Sequence, residues 1–181
     1  MDAKLLKAEA QNLNRAAMFI GITGIVFSVL KIIPSLLAPV SWYATIAAMI
    51  LILGEGFAFL TLDRMHKESK DDTFKKFKLA VIFAFCALVC ANIPFAGGFI
   101  AAIMVIVASV FLLLGAKVLK AEEATKNAKL LFIAAILGIV AGALEIIGAI
   151  PLVGFIFNLL GRLMDVAVFV LILVGVKKLI A

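Results

Sequence analysis

A chain of 181 residues that is 66% apolar and only 15% charged, with a mean hydropathy of +1.26, cannot coat a water-soluble domain. Such domains run nearer half apolar and a quarter charged. The formal net charge of +6 does not point to nucleic acid, because the basic residues gather in short segments between apolar runs and no nucleic-acid-binding motif accompanies them.

The first fifteen residues interleave Leu5, Leu6, Ala8, Ala10 and Leu13 with Lys4, Lys7, Glu9 and Arg15. Segment 1–15 therefore reads as an amphipathic helix at the membrane interface, or as an extension of the first span. Asp2 and Glu9 do not suit the leading region of a cleavable signal peptide.

Six apolar runs follow. A helix climbs 1.5 Å per residue, so about 20 apolar residues cross a hydrocarbon core. The runs cover Ala16 to Ile33, Ser41 to Leu62, Phe77 to Ile93, Gly98 to Leu119, Leu130 to Ile150 and Leu152 to Val176. The third is short, with Lys75, Lys76 and Lys78 at its start placed to snorkel. None alternates with period two, which excludes barrel strands. The expected fold is an all-α integral membrane protein of six transmembrane helices, arranged as three hairpins (16–62, 77–119 and 130–178) in one domain, 16–181.

The breaks between runs are of two kinds. Pro34 to Pro39, Pro94 to Gly98 and Pro151 to Gly154 carry no Lys or Arg, whereas Asp63 to Lys76 and Lys120 to Lys129 are rich in charge. By the positive-inside rule the N-terminus, charged segments and C-terminus face the cytoplasm and the Pro turns face outward, with Trp42 and Tyr43 at the outer interface. Retention in the plasma (inner) membrane of a prokaryote is the expected location.

The hairpins carry a possible internal repeat. Gly24 to Ile33 and Gly138 to Ile147 agree at six of ten positions, and Ile52-Leu53-Gly54, Leu113-Leu114-Gly115 and Leu173-Val174-Gly175 end the even-numbered spans alike. Triplicated parallel hairpins are the expectation. Gly24 with Ser28, and Gly138 with Gly142, present small-residue faces for close helix packing, within the monomer or across a dimer.

Ionisable residues inside spans cost about 2.5–3.5 kcal/mol each on insertion scales and stand as functional candidates. They are Lys31, Glu55, Glu145, Arg162 and Asp165, with Asn158 as an uncharged companion. Asn158, Arg162 and Asp165 share one stripe of the sixth span. Arg162 is expected to meet Asp165 or Glu145, and Lys31 occupies the position in the first hairpin that Glu145 takes in the third.

Other chemistry is sparse. His66, the one histidine, reads as a solvated loop residue. Cys86 and Cys90 lie in one apolar run and behave as small hydrophobes. No P-loop or HExxH is present, no GxSxG elbow, and Ser28 and Ser109 have no histidine to activate them. No enzyme activity, cofactor or metal is expected. The expected function is that of a non-catalytic subunit or scaffold of a membrane assembly, on its short connections, small-residue faces and lack of a catalytic constellation; the alternative is a small transporter or channel moving a proton, ion or small solute along the polar stripe. The expected partners are the lipid bilayer and a second copy or another membrane protein.

Overall fold

The computed structural model describes residues 3–32, 38–91, 96–121, 128–150 and 154–180. All described elements are helical: α1 (Ala3–Ile32), α2 (Ala38–Ser69), α3 (Asp72–Cys90), α4 (Gly97–Ala121), α5 (Ala128–Gly148) and α6 (Gly154–Ile180). Five of them (α1, α2, α4, α5 and α6) contain stretches long and apolar enough to cross a membrane. α3 falls short of that standard because Asp72, Lys75, Lys76 and Lys78 occupy its first two turns. The three Pro turns and the Lys120 to Lys129 segment lie largely outside the described residues, as do the side chains of Trp42 and Tyr43.

From Ala3 onward the N-terminal segment and the first span form one unbroken helix, α1. Nothing between Leu13 and Ala16 breaks a helix, and Glu9 is buried, facing Arg64 of α2 at 3.7 Å.

The charged Asp63 to Lys76 segment is not a loop either. α2 runs on to Ser69 and α3 starts at Asp72, so only two residues connect them. Lys70 adopts φ 55, the left-handed conformation that ends a helix, and its N–H reaches back to the His66 carbonyl at 2.8 Å. Asp71 then caps α3, its Oδ1 accepting from the Thr73 N–H at 2.7 Å. His66 belongs to this device. Its Nδ1 lies 2.9 Å from the Asp71 carbonyl oxygen, which can only accept, so Nδ1 carries the proton. Asp63 sits between Lys67 at 2.7 Å and Lys78 of α3 at 2.9 Å, fastening the two helices at this end.

The six helices form a closed ring. Each packs on its neighbours in chain order, α1 packs on α6, and no other pair of helices comes into packing range among the described residues. Neighbours are antiparallel. On α5 and α6 the contacts run Leu131 with Gly175, Glu145 with Gly161 and Gly148 with Asn158, so one number rises as the other falls. Gly21 with Leu173 and Gly24 with Phe169 show the same at the α1–α6 closure.

Small residues make these seams. Ala16, Ala102, Ala116, Ala134, Ala135 and Ala141 are fully enclosed. Gly142 lies so close to α4 that an added Cβ would sit 2.6 Å from Ile106 and 3.0 Å from the Ala102 carbonyl. Without water to drive helices together inside a bilayer, such close backbone approach supplies the contact. Large apolar side chains point outward instead: Phe19, Met49, Leu53, Phe99, Ile156 and Leu163 are each at least half exposed. An apolar exterior on every helix marks a surface built for lipid.

Candidate functional site

The ring encloses a central cavity of about 730 Å³ whose wall draws on all six helices. On α1 the wall extends from Ala10 to Lys31, which at 1.5 Å per residue is about 30 Å. Most of the wall is apolar, with small residues such as Ala17, Ala58, Ala84 and Ala108 leaving the bore open and Phe74, Phe77 and Phe169 supplying aromatic surface. A second hollow of about 380 Å³, between Val26 and Leu30 of α1 and Ile46 and Ile50 of α2, opens on the lipid-facing side and holds no charge.

Lys31, Glu55, Glu145, Arg162 and Asp165 all line the central cavity. The structure places four of them together. Arg162 Nη1 lies 2.7 Å from Glu145 Oε1 and 3.4 Å from Asp165 Oδ2. Both carboxylates use the same guanidinium nitrogen. The Glu145 approach is one of charge rather than a well-aligned hydrogen bond, since that oxygen has no hydrogen-bond donor at acceptable angle. Lys31 is within electrostatic range of all three, but its Nζ rests over the Phe27 ring at 4.3 Å, the geometry of a cation–π contact. Two cations and two carboxylates leave this cluster formally neutral.

Glu55 stands apart. Its neighbour Gly54 touches Ile20, and from Ile20 to Lys31 α1 climbs about 16 Å. Glu55 therefore lies well along the bore, away from the cluster. The residue is 5% exposed and its Oε2 has no hydrogen-bond partner among the described residues. No described Lys, Arg or His comes within ion-pair distance of it.

Asn158 does not join the charges. It lies outside the cavity wall, and its Nδ2 donates to the Gly148 carbonyl at 3.0 Å, satisfying an end carbonyl of α5. The small residues named from sequence face neighbouring helices. Gly24 meets the Phe169 ring, Gly138 meets Ser109 and Gly142 meets Ile106, while Ser28 is buried and lines the cavity. Phe27 and Phe169 are cavity residues that sequence reasoning did not reach, and Ser109, weighed there only as a nucleophile, lines the cavity as well; a serine or phenylalanine in an apolar run carries no sign of facing a bore rather than lipid.

No group of three or more His, Cys, Asp or Glu is arranged to hold a metal ion among the described residues. Cys86 and Cys90 are free thiols, both half-buried. Comparison with known protein families, with curated proteins and with solved structures finds no match to this chain.

Proposed function

We propose that this chain is a small membrane transporter or channel that moves a proton, ion or small solute through the bore of its helix ring. The observation that carries the reading is the enclosure of the five ionisable candidates Lys31, Glu55, Glu145, Arg162 and Asp165 in one cavity running along the bundle. Charges placed only to fix helix register need a partner, not a shared lumen.

The competing reading, a non-catalytic subunit or scaffold, rests on short connections, small-residue faces and the lack of a catalytic constellation; of these, Gly24, Gly138 and Gly142 face neighbouring helices of the same chain, which leaves the shared cavity as the more specific feature. In the transport reading the protein makes six crossings with both ends cytoplasmic. The 19 residues of α3 span about 28 Å, close to a hydrocarbon core, and Lys75 and Lys76 reach the cytoplasmic headgroups. The repeated hairpins supply three similar walls to one bore.

The test is flux from the purified chain alone. Proteoliposomes loaded with a pH-sensitive dye and driven by a potassium diffusion potential should acidify or alkalinise faster than empty liposomes, and Arg162→Leu should slow them. Absence of flux for protons, potassium and chloride, together with a stoichiometric partner in native-membrane co-purification, would return the chain to the subunit reading.

A further inference from the structure

We propose that the bore holds a hydrophobic organic cation at Glu55, and that this cation and a proton occupy the carboxylate in turn. The inference rests on the transport reading for its purpose, but the binding step stands without it.

The argument begins with charge balance. Among the described residues, the wall of the bore carries three carboxylates (Glu55, Glu145 and Asp165) and two cations (Lys31 and Arg162). Arg162 is in contact with Glu145 and Asp165, and Lys31 completes a neutral set of four. Glu55 is the remainder. A buried carboxylate with an unmet oxygen in an apolar wall must take up a positive partner or lose its charge, because an isolated ion is too costly there. A proton is one such partner. A cation delivered from the bore is the other.

The surroundings define which cation fits. Ala58 is one turn along α2, and Ala84 and Ala108 face the same bore from α3 and α4. Among the described residues no second carboxylate joins Glu55 in a metal-ligating group, so a small metal cation would remain undercoordinated. A large apolar cation carries no tight hydration shell to strip. It would bury its substituents against Ala and Leu side chains of the bore and set its positive charge against the Glu55 carboxylate. The volume of about 730 Å³ suits a molecule of drug size.

Among the described residues, no competing titratable group faces Glu55 from the neighbouring helices. The α3 and α4 walls of the bore contribute none. Lys31 on α1, Glu145 on α5 and Arg162 and Asp165 on α6 belong to the cluster at the other level. Glu9 of α1, beyond the apolar wall, is engaged with Arg64. One carboxylate cannot hold a proton and pair with a cation at once. Binding at a pH where Glu55 is protonated therefore breaks its O–H bond, sends that proton to water and leaves the carboxylate paired with the incoming charge. No oxidant, reductant or covalent bond to the ligand is involved.

The experiment uses the full chain in a neutral detergent with tetraphenylphosphonium as probe and tetraphenylborate, an anion of nearly the same shape, as its control. Calorimetric titration in buffers of different ionisation heat reads affinity and proton release together. We expect the cation to bind near one per chain with release of up to one proton, and more tightly as pH rises. Glu55→Gln should weaken the cation at least tenfold, equivalent to about 1.4 kcal/mol, and abolish the pH dependence, while Glu55→Asp retains both in part. Equal affinity for cation and anion, meaning apolar partition only, would overturn the proposal, as would wild-type affinity in Glu55→Gln. Should Glu55→Gln fail to fold, wild-type proton release and the cation–anion comparison decide the matter by themselves. Cation binding without flux in liposomes would leave this site standing and sink the transport reading, and flux without cation binding would do the reverse.

Discussion

Arg162 concentrates the electrostatics of the ring. Its Nη1 faces two carboxylates, with Glu145 at 2.7 Å and Asp165 at 3.4 Å. Removing one side of a buried pair costs roughly 3–5 kcal/mol, whereas replacing both sides with apolar groups can be almost neutral. Arg162→Leu is accordingly expected to lower the thermal midpoint in detergent, and Arg162→Leu with Glu145→Leu to recover much of the loss. The shorter distance makes Glu145 the better rescuer than Asp165; equal rescue by both would mean the two carboxylates share the guanidinium evenly. The glycines offer a second contrast. An added Cβ at Gly24 runs into the Phe169 ring, while one at Gly56 meets nothing within 4 Å. Gly24→Ala should destabilise by about 1–3 kcal/mol through overpacking. Gly56→Ala, in the middle of α2, should be neutral or gain up to about 1 kcal/mol from better helix propensity. Thermal unfolding of the two variants side by side checks the direction of each.

At the scale of elements, α3 is the helix whose membrane role is least obvious from composition, and the arrangement of the ring gives it a definite expectation. It packs between α2 and α4 just as the other helices pack between theirs. In a Cys86→Ala, Cys90→Ala background, a cysteine at Lys70 should react with an impermeant thiol reagent from the cytoplasmic side only, and one at Ala96 from the opposite side only. Labelling of both from one face would make α3 a re-entrant or interfacial helix. The existence and order of six helices was legible in the sequence because long apolar runs broken by Pro or charge leave little choice. Their ends were not. Asp63 to Ser69 is charged, which marks it as outside the hydrocarbon, but charge does not stop a helix, and the stop came from the Ser69-Lys70-Asp71 geometry instead. The pairing of Arg162 with Glu145 was within reach, since folding back at Pro151 sets Asn158 level with Glu145 and Arg162 about one helical turn deeper, a gap that a long guanidinium side chain bridges. The solitary position of Glu55 was not. It depends on which way α2 is rotated in the ring, and with apolar residues on both faces no periodicity reveals that rotation.

The whole molecule is a ring in which the last helix closes on the first. Gly21 and Gly24 of α1 lie against Leu173 and Phe169 of α6 as intimately as any pair of helices joined by a turn. Closure of this kind gives the chain no privileged starting point. From the Leu173 level, α6 runs on to Ile180 beside the early part of α1, and the remaining climb to Ala3 is about 16 Å at 1.5 Å per residue. A Gly/Ser linker of about ten residues spans that distance with slack, at roughly 3.3 Å each when extended. A circular permutant that joins Ile180 to Ala3 and opens the chain between Lys70 and Asp71 should still insert, give the same elution profile in detergent and keep its thermal midpoint within a few degrees. It would begin at α3 and end at α2 without any contact of the ring being lost except the tight turn itself. The order in which helices leave the ribosome would then be a matter of history, and the circle they complete the only arrangement that their surfaces specify.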